Sequence, residues 1–160
     1  MGRRIMKFSS PLIVVSDMEN SKRFYYEALG LEVNVDFGAN VTLTGGIALQ
    51  TKDTWLTFIH KKESEIVFGG NVAELYFEEY DFDGFILKIN DIADINYVHP
   101  IVEHSWGQRV VRFYDPDKHI IEVGENIIMV VRRFLNSGLS IEETSIRMDV
   151  PVDYVKSCLE

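Results

Sequence analysis

The sequence is poor in cysteine, in positive charge and in long apolar runs, and each shortage removes a class of function. A single cysteine, Cys158, leaves no intramolecular disulfide and no cysteine metal cluster, and fits a reducing compartment. No apolar run approaches the roughly 20 residues that cross a bilayer. The short lead from Met1 to Met6, with Arg3 and Arg4, is not followed by the hydrophobic stretch of a secretory signal, so a cytoplasmic location is expected. Lys and Arg number 16 against 25 Asp and Glu, a formal net charge of −9. That balance argues against nucleic acid or an anionic membrane as the main partner, since both attract positive surfaces. No Gly-rich loop links a strand to a helix, and no Gly-x-Ser-x-Gly elbow is present, so nucleotide-dependent and serine-hydrolase chemistry have no support. Small molecules and proteins remain as partners.

What is present is a substantial apolar content, 46% of 160 residues, enough for one domain or two small modules. The most informative stretch is WGQRVVRFYDPDKHIIEVGE, Trp106 to Glu125. Two apolar runs, Val110 to Tyr114 and Ile120 to Val123, are joined by Asp115-Pro116-Asp117-Lys118, where Pro and Asp favour a reversing turn. A β-hairpin is expected, with Glu122 on the face opposite Ile121 and Val123. On the hairpin alone, Glu122 reads first as a solvated strand residue.

The rest of the chain falls into a degenerate repeat. Leu12 to Val15 is a strand, Ser16 or Asp17 caps a helix carrying Phe24, Tyr25, Ala28 and Leu29, and Gly30 stops it. Strands follow over 32–37, 41–44 and 47–51, split by Gly38-Ala39-Asn40 and Gly45-Gly46. Residues 53–71 read as an irregular connector. A strand from Ala73 to Glu78 then places Leu75 and Phe77 on one face and Glu74, Tyr76 and Glu78 on the other. Asp81 or Asp83 caps a helix to about Ile92, a strand covers 96–102, and the hairpin completes a second βαβββ order. After Glu125 the spacing turns helical. Ser140 with Glu143 forms a capping box, and Pro151 opens a third helix. The rhythm suggests a helix-turn-helix, but acidic residues outnumber basic ones there, so a packing appendage is expected rather than a DNA reader.

The phrases FYDPDKHIIEVGE and PLIVVSDMENSKRFYYEALGLEV resemble the closing strands and the first strand and helix of the vicinal oxygen chelate superfamily, which holds glyoxalase I, bleomycin-resistance proteins, fosfomycin-resistance enzymes and extradiol dioxygenases. The resemblance implies an α+β protein: modules over 7–52 and 72–124, a connector over 53–71, a curled cup-shaped mixed sheet and a helical C-terminal appendage over 125–160. It implies a small oxygen-rich ligand in the cup and a possible homodimer. It also implies a metal site at positions matching Ser10, Gln50, Glu74 and Glu122, of which Gln50, Glu74 and Glu122 could ligate a divalent ion such as Mn²⁺, Ni²⁺, Zn²⁺ or Mg²⁺, while Ser10 replaces a usual ligand. No histidine stands at any of the four, which excludes a two-histidine, one-carboxylate iron site.

Two readings stay open. In one, a metal polarises the substrate for lyase or isomerase chemistry and Glu74 or Glu122 moves a proton. In the other, the protein is a metal-free binding and sequestration module of the bleomycin-resistance type. A weaker third is a ligand sensor acting through its helical tail. Trp106, Arg109, His104 and Tyr76 are the candidate substrate-binding residues; His99 and His104 could supply a base at the cup mouth, and Arg109 and Arg112 could hold an anionic substrate by forked hydrogen bonds, with pairing to surface carboxylates an equal alternative.

Overall fold

The computed structural model describes residue 2 and residues 4–160; Met1 and Arg3 of the N-terminal lead lie outside the described residues. Its order is β1 (Leu12–Val15), α1 (Met18–Leu29), β2 (Val33–Asp36), β3 (Asn40–Leu43), β4 (Ala48–Thr51), α2 (Lys52–Ile59), β5 (Glu74–Glu79), α3 (Phe82–Asn90), β6 (Asn96–Glu103), β7 (Arg109–Tyr114), β8 (Ile120–Glu125), α4 (Ile127–Asn136), α5 (Ile141–Met148) and α6 (Val152–Ser157). The strands form two four-stranded mixed sheets of the same design, β1-β4-β3-β2 and β5-β8-β7-β6. In each, the first strand runs parallel to the last, and the helix after the first strand carries the chain across to the opposite edge strand. This is the expected pair of βαβββ modules. The chain divides into two compact units, residues 1–70 with 115–118, and residues 71–114 with 119–160.

In the first unit, Asp17 caps α1 by accepting from the Asn20 N–H at 2.9 Å, and Gly30 ends it at φ 68°. The buried face is Ser21, Tyr25 and Ala28, one step round from the stripe centred on Phe24, which packs edge-on against Tyr25. Tyr25 is fully buried, and its hydroxyl donates to Asp115 Oδ2 at 2.8 Å. The turn that carries Asp115 has the expected form: the Lys118 N–H reaches the Asp115 carbonyl, and the Asp117 N–H reaches the Asp115 carboxylate at 2.9 Å. Its Asp117 also accepts from the Ser16 N–H at 3.0 Å. The stretch read as an irregular connector holds α2. Lys52, Trp55, Leu56 and Ile59 recur at helical spacing on its half-buried side, and the charge run that obscured this pattern begins only after the helix has ended at His60.

In the second unit, α3 is capped by Asp81 and buries Phe82, Phe85 and Ile89. Val111, Phe113, Ile121 and Val123 supply the buried face of the sheet, and Phe85 stacks on Phe113. The three helices expected after Glu125 are present. Val130, Val131, Phe134, Met148 and Val155 form their own core cluster, and the Ser140–Glu143 capping box closes at 3.1 and 2.7 Å. Among the described residues, no helix is long and apolar enough to cross a membrane.

Replacing Tyr25 by Phe removes one bond to a buried carboxylate and should lower stability by about 1.5–3 kcal/mol, the range for hydrogen bonds to charged groups. The change should appear as a lower urea midpoint at constant slope. An unchanged midpoint would mean that Asp115 does not need the phenol.

Candidate functional site

Strand register decides which side chains meet. Tyr76 on β5 is paired with Glu122 on β8, Glu122 with Arg112 on β7, and Arg112 with His99 on β6. Paired residues share a face, so these four form one row across the second sheet, with Glu74 one pleat along from Tyr76. Arg112 is the centre of this row. Its Nε donates to Glu74 Oε2 at 2.8 Å, and one Nη donates to Glu122 Oε2. The other Nη faces His99 Nε2 at 3.2 Å. His99 Nδ1 lies 2.7 Å from the Pro100 carbonyl. A neutral imidazole with its proton on Nδ1 satisfies both contacts, donating to the carbonyl and accepting from Arg112.

Glu122 is therefore not a solvated strand residue: it is 5% exposed. Burial, with Glu74 beside it, pushes its carboxyl up to about 7 despite the opposing pull of Arg112. Glu74 is held below the usual range because it accepts from Arg112. Of the two carboxyls, Glu122 is therefore the one that takes up a proton first as pH falls through about 7.

Beside this cluster, the Tyr76 ring lies over Gly124, where a Cβ would come within 3.1 Å of the ring and 2.8 Å of Gln108 Nε2. Gln108 donates to the Tyr76 hydroxyl and to the Glu125 carbonyl, both at 2.9 Å, and accepts from the Trp106 indole at 3.1 Å. Trp106 stacks on His104 with ring centroids 4.2 Å apart. Burial, then Arg112 and His99, lowers the His104 pKa, which keeps that ring neutral. The Tyr76 hydroxyl donates to Glu78 at 3.1 Å. This face therefore presents two partly exposed aromatic rings, Tyr76 and Trp106, with Glu74 and Glu78 at its edge.

Not every expected residue joins it. Arg109 lies on the opposite face of β7, where it bonds Glu125 and Asp83 and stands 5.1 Å from the Phe82 ring centroid. Its guanidinium is engaged there by two carboxylates. Gln50 belongs to the first unit, and its amide is already used, accepting from Asn40 at 2.8 Å and donating to Thr54. The register moves the expected position as well. Leu12, paired with Ala48, stands as far ahead of its helix cap as Tyr76, paired with Glu122, stands ahead of Asp81. Ala48, not Gln50, is thus the first-unit counterpart of Glu122, and Ser10 remains the counterpart of Glu74.

This donor set does not suit a divalent ion as it stands. The Arg112 guanidinium already bonds both carboxyl groups, and no group of three His, Cys, Asp or Glu among the described residues is arranged around one point. Glu74 and Glu122 could bind a metal only after Arg112 had left them. The part that sequence reasoning underweighted is this arginine. With the turn centred on Asp117, counting outward along both strands sets Arg112 opposite Glu122, so the signal was in the hairpin.

Between about pH 4.5, where a free glutamate titrates, and about 7, folded Glu122 keeps a proton that the unfolded chain has lost. Its contribution to stability is full below that window and is lost as pH rises through it. Glu122→Gln should remove this component of the decline, read as urea midpoints at several pH values. An identical decline in parent and variant would contradict the assignment.

Comparison with known proteins agrees with this fold. A glyoxalase-like domain family model matches residues 8–128. A protein of unknown function from Agrobacterium tumefaciens str. C58 is 39% identical over 78% of this chain and 97% of its own, with a TM-score of 0.68. A glyoxalase-related enzyme from Fulvimarina pelagi shares 16% identity over 78% and 91% of the two chains, with a TM-score of 0.65. A glyoxalase/bleomycin resistance protein/dioxygenase from Nocardioides shares 16% over 78% and 85%, with a TM-score of 0.63. No protein of curated function matches. The last two likenesses concern the fold alone, but the family match goes further: this chain belongs to the glyoxalase-like domain family of the vicinal oxygen chelate superfamily.

Proposed function

We propose that this protein binds a small polar or cationic molecule without a metal, in the manner expected of a bleomycin-resistance-type module. The observation that supports this most is the Arg112 guanidinium set between Glu74 and Glu122. A fixed side-chain cation supplies one of the two positive charges that a divalent ion would otherwise bring, and it offers no open coordination position to a substrate. What is left facing outward is suited to recognition. The Tyr76 and Trp106 rings provide stacking and cation–π surface, and Glu74 and Glu78 provide negative charge.

A second reading draws on Glu122. A carboxyl that titrates near 7 is matched to proton transfer at neutral pH, as lyase or isomerase chemistry on an oxygen-rich substrate requires. In that reading a divalent ion held by Glu74 and Glu122 would supply Lewis-acid polarisation once Arg112 had moved aside.

Thermal unfolding of metal-stripped protein, titrated with Mn²⁺, Ni²⁺, Zn²⁺ and Mg²⁺, separates the two. Binding to the native state alone adds about 2.7 kcal/mol at a hundredfold excess over Kd, enough to move a midpoint visibly. The first reading expects no saturable shift with any of the four. A saturable shift that disappears in the Glu74→Gln, Glu122→Gln variant would replace it with the metal-dependent one.

A further inference from the structure

The family match ends at residue 128, so most of α4 and all of α5 and α6 lie beyond it. Those helices nevertheless reach the candidate ligand face, through the loop from His104 to Gln108. The loop is a tight turn, closed by the Gly107 N–H on the His104 carbonyl at 2.8 Å and the His104 N–H on the Gln108 carbonyl at 2.9 Å. Two carbonyls of this turn, those of Ser105 and Gly107, accept from side chains outside it. Both donors come from the C-terminal helices. Arg147 on α5 donates to the Ser105 carbonyl at 2.5 Å and to Glu103 at 2.6 Å; Arg133 on α4 donates to the Gly107 carbonyl at 2.6 Å.

Gly107 has φ +88°, and a Cβ there would meet the Phe134 ring of α4 at 2.3 Å. Phe134 is in turn held between the two arginines, with the Arg133 guanidinium 5.0 Å and the Arg147 guanidinium 5.1 Å from its ring centroid. Two cations and one ring thus fix the loop backbone from a single direction. From the same loop, His104 and Trp106 project as a stacked pair, and Gln108 carries the hydrogen bonds to Tyr76 and the Trp106 indole.

We propose that the C-terminal helices are a positioning clamp on the loop that carries His104 and Trp106, with Arg147, Arg133 and Phe134 as positioning residues. Whatever alters the packing of α5 on α4 then alters the ligand face, and by linkage a ligand held on Trp106 alters the helices by the same free energy. The clamp rests on the preceding reading only where it counts Trp106 as part of a ligand face. The test reads the loop itself, so failure of the ligand reading and failure of the clamp are separate results.

The chain has two tryptophans, so full-length Trp55→Phe protein reports on Trp106 alone. In that background, Arg147→Ala should shift Trp106 emission to the red and raise its acrylamide quenching constant. Ile146→Ala serves as control, because Ile146 is the neighbouring residue on α5 and is 80% exposed; it should leave both readings at parent values. An Arg147→Ala protein that keeps its far-ultraviolet helix signal and the parent emission and quenching would overturn the clamp. So would an Ile146→Ala protein that moves Trp106 as far as Arg147→Ala does. Should Arg147→Ala lose helix signal, Arg147→Lys is read in its place, since its ammonium reaches only one of the two acceptors, and the same outcomes apply.

Discussion

The register of the β7–β8 hairpin is the constraint on which the rest of this molecule depends. It sets Arg112 opposite Glu122 and Val110 opposite Gly124. A slip of one residue between the two strands would turn either Arg112 or Glu122 onto the apolar face and its strand's own apolar residues off it. The turn that fixes the register is itself anchored: Asp115 satisfies the Asp117 N–H and receives the Tyr25 hydroxyl, all within the first unit. Burial and the neighbouring aspartates push the Tyr25 phenol well up, so it stays a donor across the physiological range.

The same register accounts for the chemistry of the site. Arginine suits a place between two carboxylates because its planar fork can serve both, and it cannot lose its charge at any pH the fold survives. Once it is there, the acidic pair has no unmet demand for a cation, and the carboxyl that is more buried, Glu122, takes up the remaining proton. A second carboxylate, Glu125, shows the contrasting outcome three residues further on. Burial alone would raise it, but Arg133 and Arg109 both donate to it and hold its carboxyl low. Two buried glutamates on one strand are thus shifted in opposite directions: one shares an arginine with another carboxyl, and the other has two arginines. The second arrangement joins β7, β8 and α4, while the first faces outward beside the aromatic rings.

Much of this was legible in the sequence. Helix caps at Asp17, Asp81 and Ser140, the glycine stop at Gly30 and the Asp-Pro-Asp turn are local signals, and each appears in the structure where the residues place it. The two βαβββ modules followed from those signals and from period-two alternation. Two kinds of information were not local. The helix α2 was masked because its apolar side is only half-buried and a run of charges follows it. The candidate site depended on partners far apart in sequence: Arg112 looked like an anion hook until the pairing of β7 with β8 set it against Glu122. Arg109, three residues earlier, belongs to the other face for the same geometric reason. Gln50 was placed by resemblance, and the pairing of β1 with β4 set Ala48 in the counterpart position instead.

The central claim is that Arg112 takes the place of a metal between Glu74 and Glu122. The most direct measurement is the ¹⁵N–¹H signal of the Arg112 Nε, assigned by its loss in Arg112→Lys and followed at neutral pH while Zn²⁺ is added to metal-stripped protein. A slowly exchanging Nε–H that keeps its shift throughout is the predicted result. A resonance that moves or vanishes saturably with Zn²⁺, and recovers when the ion is chelated, would mean that the guanidinium yields its position to a metal.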